Sequence, residues 1–223
     1  MGIHPKLVVV DFAGTTMKEE GAVIRAYREA FTAFDIPFTD DDIAARRGAS
    51  KRAVFEELAS RAGRFADPSA VAGAALACFE SALTNAYTSE PVEEISGAAA
   101  AVRELRERGT KVALSSGFGR GLVSILIDRL GWEDLFDLVL SGDDVAAGRP
   151  APFAIFRAMS GLGVLDVGTV AVVGDTPLDL RAGANARAGW VIGVLSGAHS
   201  IETLGANAHT HIIPSVADLP SLF

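Results

Sequence analysis

Five short runs along the chain are apolar at successive positions rather than at alternate ones: KLVVVDF near the start, KVALSS and DLVLSG in the middle, TVAVVGD and WVIGVLSG toward the end. A continuous apolar run of this length suits a strand covered on both faces, which is the position of strands in a parallel sheet sandwiched between helices. Helical spacing lies between the runs. Val102, Leu105 and Arg106 precede the second, and Leu122, Ile125, Leu126 and Leu130 follow it. Strand and helix in alternation predict an α/β fold with a doubly wound, Rossmann-type parallel sheet. The functional crevice of such a sheet opens at the carboxyl ends of its strands. Asp11, Ser116, Arg149 and Asp175 punctuate the runs at or just beyond such ends.

One interval breaks the alternation. Between Thr16 and about Ser89 the pattern is helical throughout. EEGAVIRAYREAFTAFDI puts Val23, Ala26, Tyr27, Ala30, Phe31 and Phe34 on one helical face. SKRAVFEELASRAG has a candidate N-cap in Ser50 and a stop at Gly63. DPSAVAGAALACFESALTNAY carries Pro68 near its first turn. The expected organisation is a core domain of residues 1–16 and 90–223 with a helical cap domain, residues 17–89, inserted after the first strand. Such a cap could close over the crevice and exclude water; the alternative is an enlarged helical layer that does not move.

Composition narrows the partners. Of 223 residues, 49% are hydrophobic, enough for a sizeable core, and the net charge is −8. That charge disfavours nucleic acid and anionic membranes, which call for a basic face, but leaves a small anionic substrate open. Cys78 is the single cysteine, so no internal disulfide can form and a cytoplasmic setting is expected. The opening MGIHPKLVVVD has neither a signal-peptide pattern nor a membrane span. Lys6 stands where a myristoylation motif needs Ser or Thr.

The strand-end residues carry the candidate chemistry. Asp11 runs straight into Gly14 and Thr15, which would set a carboxylate nucleophile beside backbone N–H groups able to hold an anion. Asp175 ends a second apolar run, and two such carboxylates at neighbouring strand ends repel unless a hard cation, naturally Mg²⁺, lies between them. Asp179, one helical turn on, could support that metal; the plainer reading is a solvated acid at a helix start. For Asp175 the plainer reading is an N-cap. Ser116, Gly117 and the N–H groups that follow suit phosphate oxygens, with Arg120 adding charge. Arg149, just before Pro150, could neutralise nucleophile and transferring group together. His199, His209 and His211 read as loop residues rather than a metal site.

These motifs in this order resemble the haloacid dehalogenase (HAD) superfamily of aspartyl hydrolases. The resemblance runs over nearly the whole chain and implies a HAD-like core, Mg²⁺ and an aspartyl-phosphate intermediate. Superfamily phosphatases carry a second Asp two places after the first, where it gives general acid help worth about 10²–10⁴-fold. Here that place holds Ala13. DFAGTT, SSGFGR, AGRPAPF and VGDTPLD look like the phosphonoacetaldehyde hydrolases, the phosphonatases. That likeness implies that the Ala13 carbonyl ligates Mg²⁺ and that a cap lysine forms a Schiff base whose iminium accepts electrons as the C–P bond breaks. Lys51 stands where that lysine aligns. Its surroundings depart from the family, with Ala49 and Ser50 before it and Val54 where a His is expected. GASK equally resembles the substrate-specificity loop of the wider superfamily. Lys51 is therefore expected to be a Schiff-base former or a substrate clamp. The alternatives for the whole chain are a phosphomonoesterase of small molecules and a non-catalytic binder of phosphorylated ligands. The resemblance also allows a homodimer.

Overall fold

The computed structural model describes residues 4–223. Six strands form one sheet: β1 (Leu7–Asp11), β2 (Lys111–Ser115), β3 (Leu138–Leu140), β4 (Val170–Gly174), β5 (Trp190–Val194) and β6 (His211–Ile213). Their order is β3-β2-β1-β4-β5-β6, and every neighbouring pair is parallel. The order reverses on either side of β1, so the switch point of this doubly wound sheet lies at the strand that ends in Asp11. β1 and β4 are buried at all five positions, as their unbroken apolar runs predict. β6 is the strand absent from the sequence reading; it is three residues long and begins at the exposed His211.

The helices are α1 (Ala22–Ala33), α2 (Asp40–Ala44), α3 (Lys51–Arg61), α4 (Pro68–Ser89), α5 (Ala98–Glu107), α6 (Arg120–Leu130), α7 (Phe153–Leu162), α8 (Pro177–Ala186) and α9 (Ile201–Gly205). The chain forms two compact units, one of residues up to Lys18 with Val92–Phe223, the other of Glu19–Pro91. The first contains the whole sheet. Leu7 and Val9 of β1, Val170 and Val172 of β4, and Ile155, Ala158 and Met159 of α7 share one of its cores.

The second unit contains α1 to α4 and no strand. Its centre is aromatic, with Tyr27 and Phe79 rings 4.6 Å apart and Phe31 and Phe55 rings 4.9 Å apart. α1 buries Ala26, Tyr27, Ala30 and Phe31 of the predicted face, while Val23 and Phe34 are only half-buried. Ser50 takes the N-cap position of α3, yet its side chain makes no capping hydrogen bond. Asp67 does cap α4, accepting from the Ala70 N–H, with Pro68 in the first turn as its fixed φ favours.

Candidate active site

Three strands deliver the site to one edge of the sheet. Asp11, the last residue of β1, lies opposite Ser115, the last residue of β2, and Val10 lies opposite Val173 of β4. Asp175 therefore emerges beside Asp11, one residue past the end of β4. Asp11, Asp175 and Asp179 are all buried, and each offers a carboxylate oxygen within 4.8 Å of the others.

Arg149 binds two of the three. Its Nη1 reaches Asp11 Oδ1 at 2.6 Å and Asp179 Oδ1 at 2.8 Å, while Nη2 donates to the Ser115 carbonyl at 3.0 Å and its Oγ at 3.4 Å. With five N–H donors in a planar fork, a guanidinium can serve these four acceptor atoms at once, one more than the three N–H groups of an ammonium could. Burial raises Asp11 to about 6 against the opposing pull of Arg149, with Asp179 adding to the rise. Asp175 is pushed up to about 8, first by burial and then by Asp11 and Asp179. The Arg149 guanidinium, flanked by acids, is held firmly charged.

Asp179 is neither solvated nor free. Its Oδ2 accepts from Thr176 N at 3.1 Å and Thr176 Oγ1 at 2.6 Å, and its own N–H returns a bond to Thr176 Oγ1 at 3.3 Å. It thus closes the N-terminus of α8 with one oxygen and holds Arg149 with the other. The N-cap of α8 is Thr176, not Asp175.

Several expected anion-binding groups are engaged elsewhere. The Gly14 N–H donates to the Met17 carbonyl at 2.7 Å, and the Thr15 hydroxyl donates to Asp175 Oδ1 at 3.1 Å. Both residues lie against the Asp175 carboxylate. Arg120 pairs with Asp144 at 2.5 Å on an exposed side chain, and its N–H donates to Asp143. Ser116 is buried one residue past the end of β2, and its Oγ accepts from the Phe118 N–H at 3.1 Å, so its hydroxyl proton is still available to donate. The Gly117 carbonyl packs against Gly142, where a side chain would stand 3.0 Å away.

Lys51 belongs to the second unit. It is buried at the first turn of α3, with Nζ 5.5 Å from the centre of the Tyr27 ring. His209 and His211 are exposed, and their Nδ1 atoms meet Asn207 O and Thr210 Oγ1. No helix among the described residues is long and apolar enough to cross a membrane.

The sequence reading passed over Ser115, Thr176 and the turn after β5. Ser115 carried no signal of its own, since its register with Asp11 exists only in the folded sheet. Thr176 carried one in the spacing TxxD, a capping box.

Residues 5–187 match the family model of the haloacid dehalogenase-like hydrolases. The chain belongs to that family. It is a hydrolase with an α/β fold. Phosphonoacetaldehyde hydrolase of Bacillus cereus (strain B4264) is 33% identical over 110 residues. That match takes in 48% of this chain and 40% of the relative, so the chain spans less than half the length of the curated relatives it matches. In fold, a hydrolase from Pseudomonas syringae superposes with a TM-score of 0.85 at 21% identity, over 97% of this chain and 96% of the other. A phosphonoacetaldehyde hydrolase-like protein from Oleispira antarctica gives 0.82 at 22% identity, over 98% and 91%.

Proposed function

We propose that the chain is a Mg²⁺-dependent, phosphonatase-like hydrolase that cleaves the C–P bond of a small phosphonate such as phosphonoacetaldehyde. The observation that carries the reading is the cluster of Asp11, Asp175 and Asp179 with Arg149, in a chain that has Ala13 where the resemblance expects an acid. A leaving alcohol has no proton donor there, whereas a leaving carbon whose electron pair is drawn into an iminium does not need one.

The residues fit a hard divalent cation. Three buried carboxylates face one guanidinium, all the donors are oxygen, and Asp175 gains most from a further positive charge. Asp11, Asp175 and the Ala13 carbonyl would hold Mg²⁺, with Asp179 in support. When bound, the ion neutralises the phosphoryl oxygens and the clustered acids.

In this reading the Asp11 carboxylate attacks phosphorus and forms an acyl phosphate, which water then hydrolyses. Arg149 steadies the carboxylate and then the charge on the transferring group. Ser116 and the N–H groups near Gly117 take phosphoryl oxygens. Lys51 handles the far end of the substrate. As a Schiff-base former it condenses with the aldehyde, and the iminium takes the C–P electron pair as an enamine. As a clamp it binds that end without covalent chemistry.

The test measures phosphate release from phosphonoacetaldehyde, other phosphonates and a panel of phosphate esters, with Mg²⁺. Borohydride is then added, and Lys51 is checked for an adduct by mass spectrometry. Phosphonoacetaldehyde turnover with an adduct is the expected result. Ester turnover without phosphonate turnover or adduct would replace the proposal with a phosphomonoesterase, and binding without any turnover would replace it with a binding protein.

A further inference from the structure

The Asp175 carboxylate lies in a slot made by two loops. On one side is the turn after β1. The Thr15 hydroxyl donates to Oδ1 at 3.1 Å, and Gly14, at φ 89°, comes so close that a Cβ there would stand 2.6 Å from Oδ2. On the other side is the turn after β5. The Ala198 N–H points at Oδ2 from 3.4 Å, and a Cβ on Gly197 would lie 1.9 Å from the same oxygen. A single hydroxyl ties the loops together: Ser196 Oγ donates to the Gly14 carbonyl at 2.9 Å. The second loop is anchored in turn by the Leu195 N–H, which donates to the Ile213 carbonyl of β6 at 3.0 Å.

We infer that the Ser196–Gly197–Ala198 turn is a positioning element of the cation site, fixing the orientation of Asp175 and thereby the affinity for Mg²⁺. This rests on the reading of Asp175 as a metal ligand. Each oxygen of Asp175 accepts one protein donor from a different loop. Each keeps lone-pair capacity for a cation, while the carboxylate plane is held from both sides. Outer partners of this kind orient ligating carboxylates, and losing one costs about 10–100-fold in metal affinity. Only a residue without a side chain leaves room for Asp175 at position 197.

The test is calorimetric titration of Mg²⁺ into the full chain and its Asp175→Asn, Gly197→Ala and Ser196→Ala variants, without substrate. Thermal melts in EDTA report on folding. Gly197→Ala is expected to weaken Mg²⁺ binding by about 10–100-fold. Ser196→Ala, which adds no bulk, is expected to weaken it several-fold at an unchanged EDTA melting temperature. If Gly197→Ala fails to fold, Ser196→Ala decides. Wild-type binding that depends on Asp175 but is untouched by both turn variants overturns the inference and leaves the metal reading standing. Wild-type protein that binds no Mg²⁺ overturns the metal reading, and the inference with it.

Discussion

Asp11 and Asp175 show what burial beside other acids does to a carboxylate. Both hold their protons more tightly in the folded chain than their ordinary value of 3.8, at about 6 and about 8. The folded state therefore binds protons that the unfolded chain has released. Stability from these groups is full below about pH 4 and is lost as pH rises through 6 and then 8. In EDTA the melting temperature should fall between pH 5 and pH 9. Mg²⁺ should restore it more at pH 8 than at pH 5, because the cation takes the place of the proton. A scanning calorimetry series with and without Mg²⁺ checks both trends. Arg149→Ala removes the shared partner of Asp11 and Asp179, and leaving buried charges uncompensated costs about 3–5 kcal/mol. The expected outcome by urea denaturation is a loss of that order, together with loss of phosphate release. Single residues were legible where their type was informative, as for Asp11, Asp175, Asp179 and Arg149. Thr15 and Ser115 were not, because a hydroxyl at a strand end suits a phosphate, a carboxylate or a guanidinium equally well. Only the neighbours brought in by folding decide which it meets.

At the scale of elements, α8 joins folding to the site. Thr176 and Asp179 satisfy one another's backbone groups across its first turn, and the same Asp179 holds Arg149. Thr176→Ala should lower the unfolding free energy by about 1 kcal/mol. It should also lower kcat with little change in KM, since Asp179 then loses the hydroxyl donor that helps aim it and keeps only the backbone N–H of residue 176. Urea denaturation and steady-state kinetics read the two effects separately. The strands β1, β2, β4 and β5 were plain in the sequence because burial on both faces leaves a continuous apolar trace. β6 left none, being short and half exposed. α2 was also missed. Its five residues are too few for a helical period, and its start is marked only by the Thr39–Asp42 capping box.

At the scale of the whole molecule, every strand and all three acids belong to the unit outside Glu19–Pro91. The two chain segments that border that stretch are joined to each other. The Lys18 N–H donates to the Glu93 carbonyl at 3.0 Å, and the Ile95 N–H to the Thr16 carbonyl at 2.8 Å. A short Gly-Ser linker in place of residues 19–91 would therefore span a small gap at little entropic cost. The shortened chain is expected to keep a cooperative melt and Mg²⁺ binding, read by circular dichroism and calorimetry. It should release no phosphate from phosphonoacetaldehyde and trap no adduct, having lost Lys51.

The pleat of β1 sets one last condition. Successive side chains of a strand point to opposite faces. Val9 and Asp11 line a small cavity together with Arg149, while Phe12 turns away to meet Trp132, with 6.1 Å between ring centres. The aim of Asp11 is thus a matter of odd and even. Removing one residue from Leu7–Val10 would exchange the two faces and present an aromatic ring in place of the carboxylate, even though Asp11 itself would still be in the chain. Removing two would shorten the strand and keep the aim. Length changes in this run are therefore constrained by parity, besides the burial of every side chain in it.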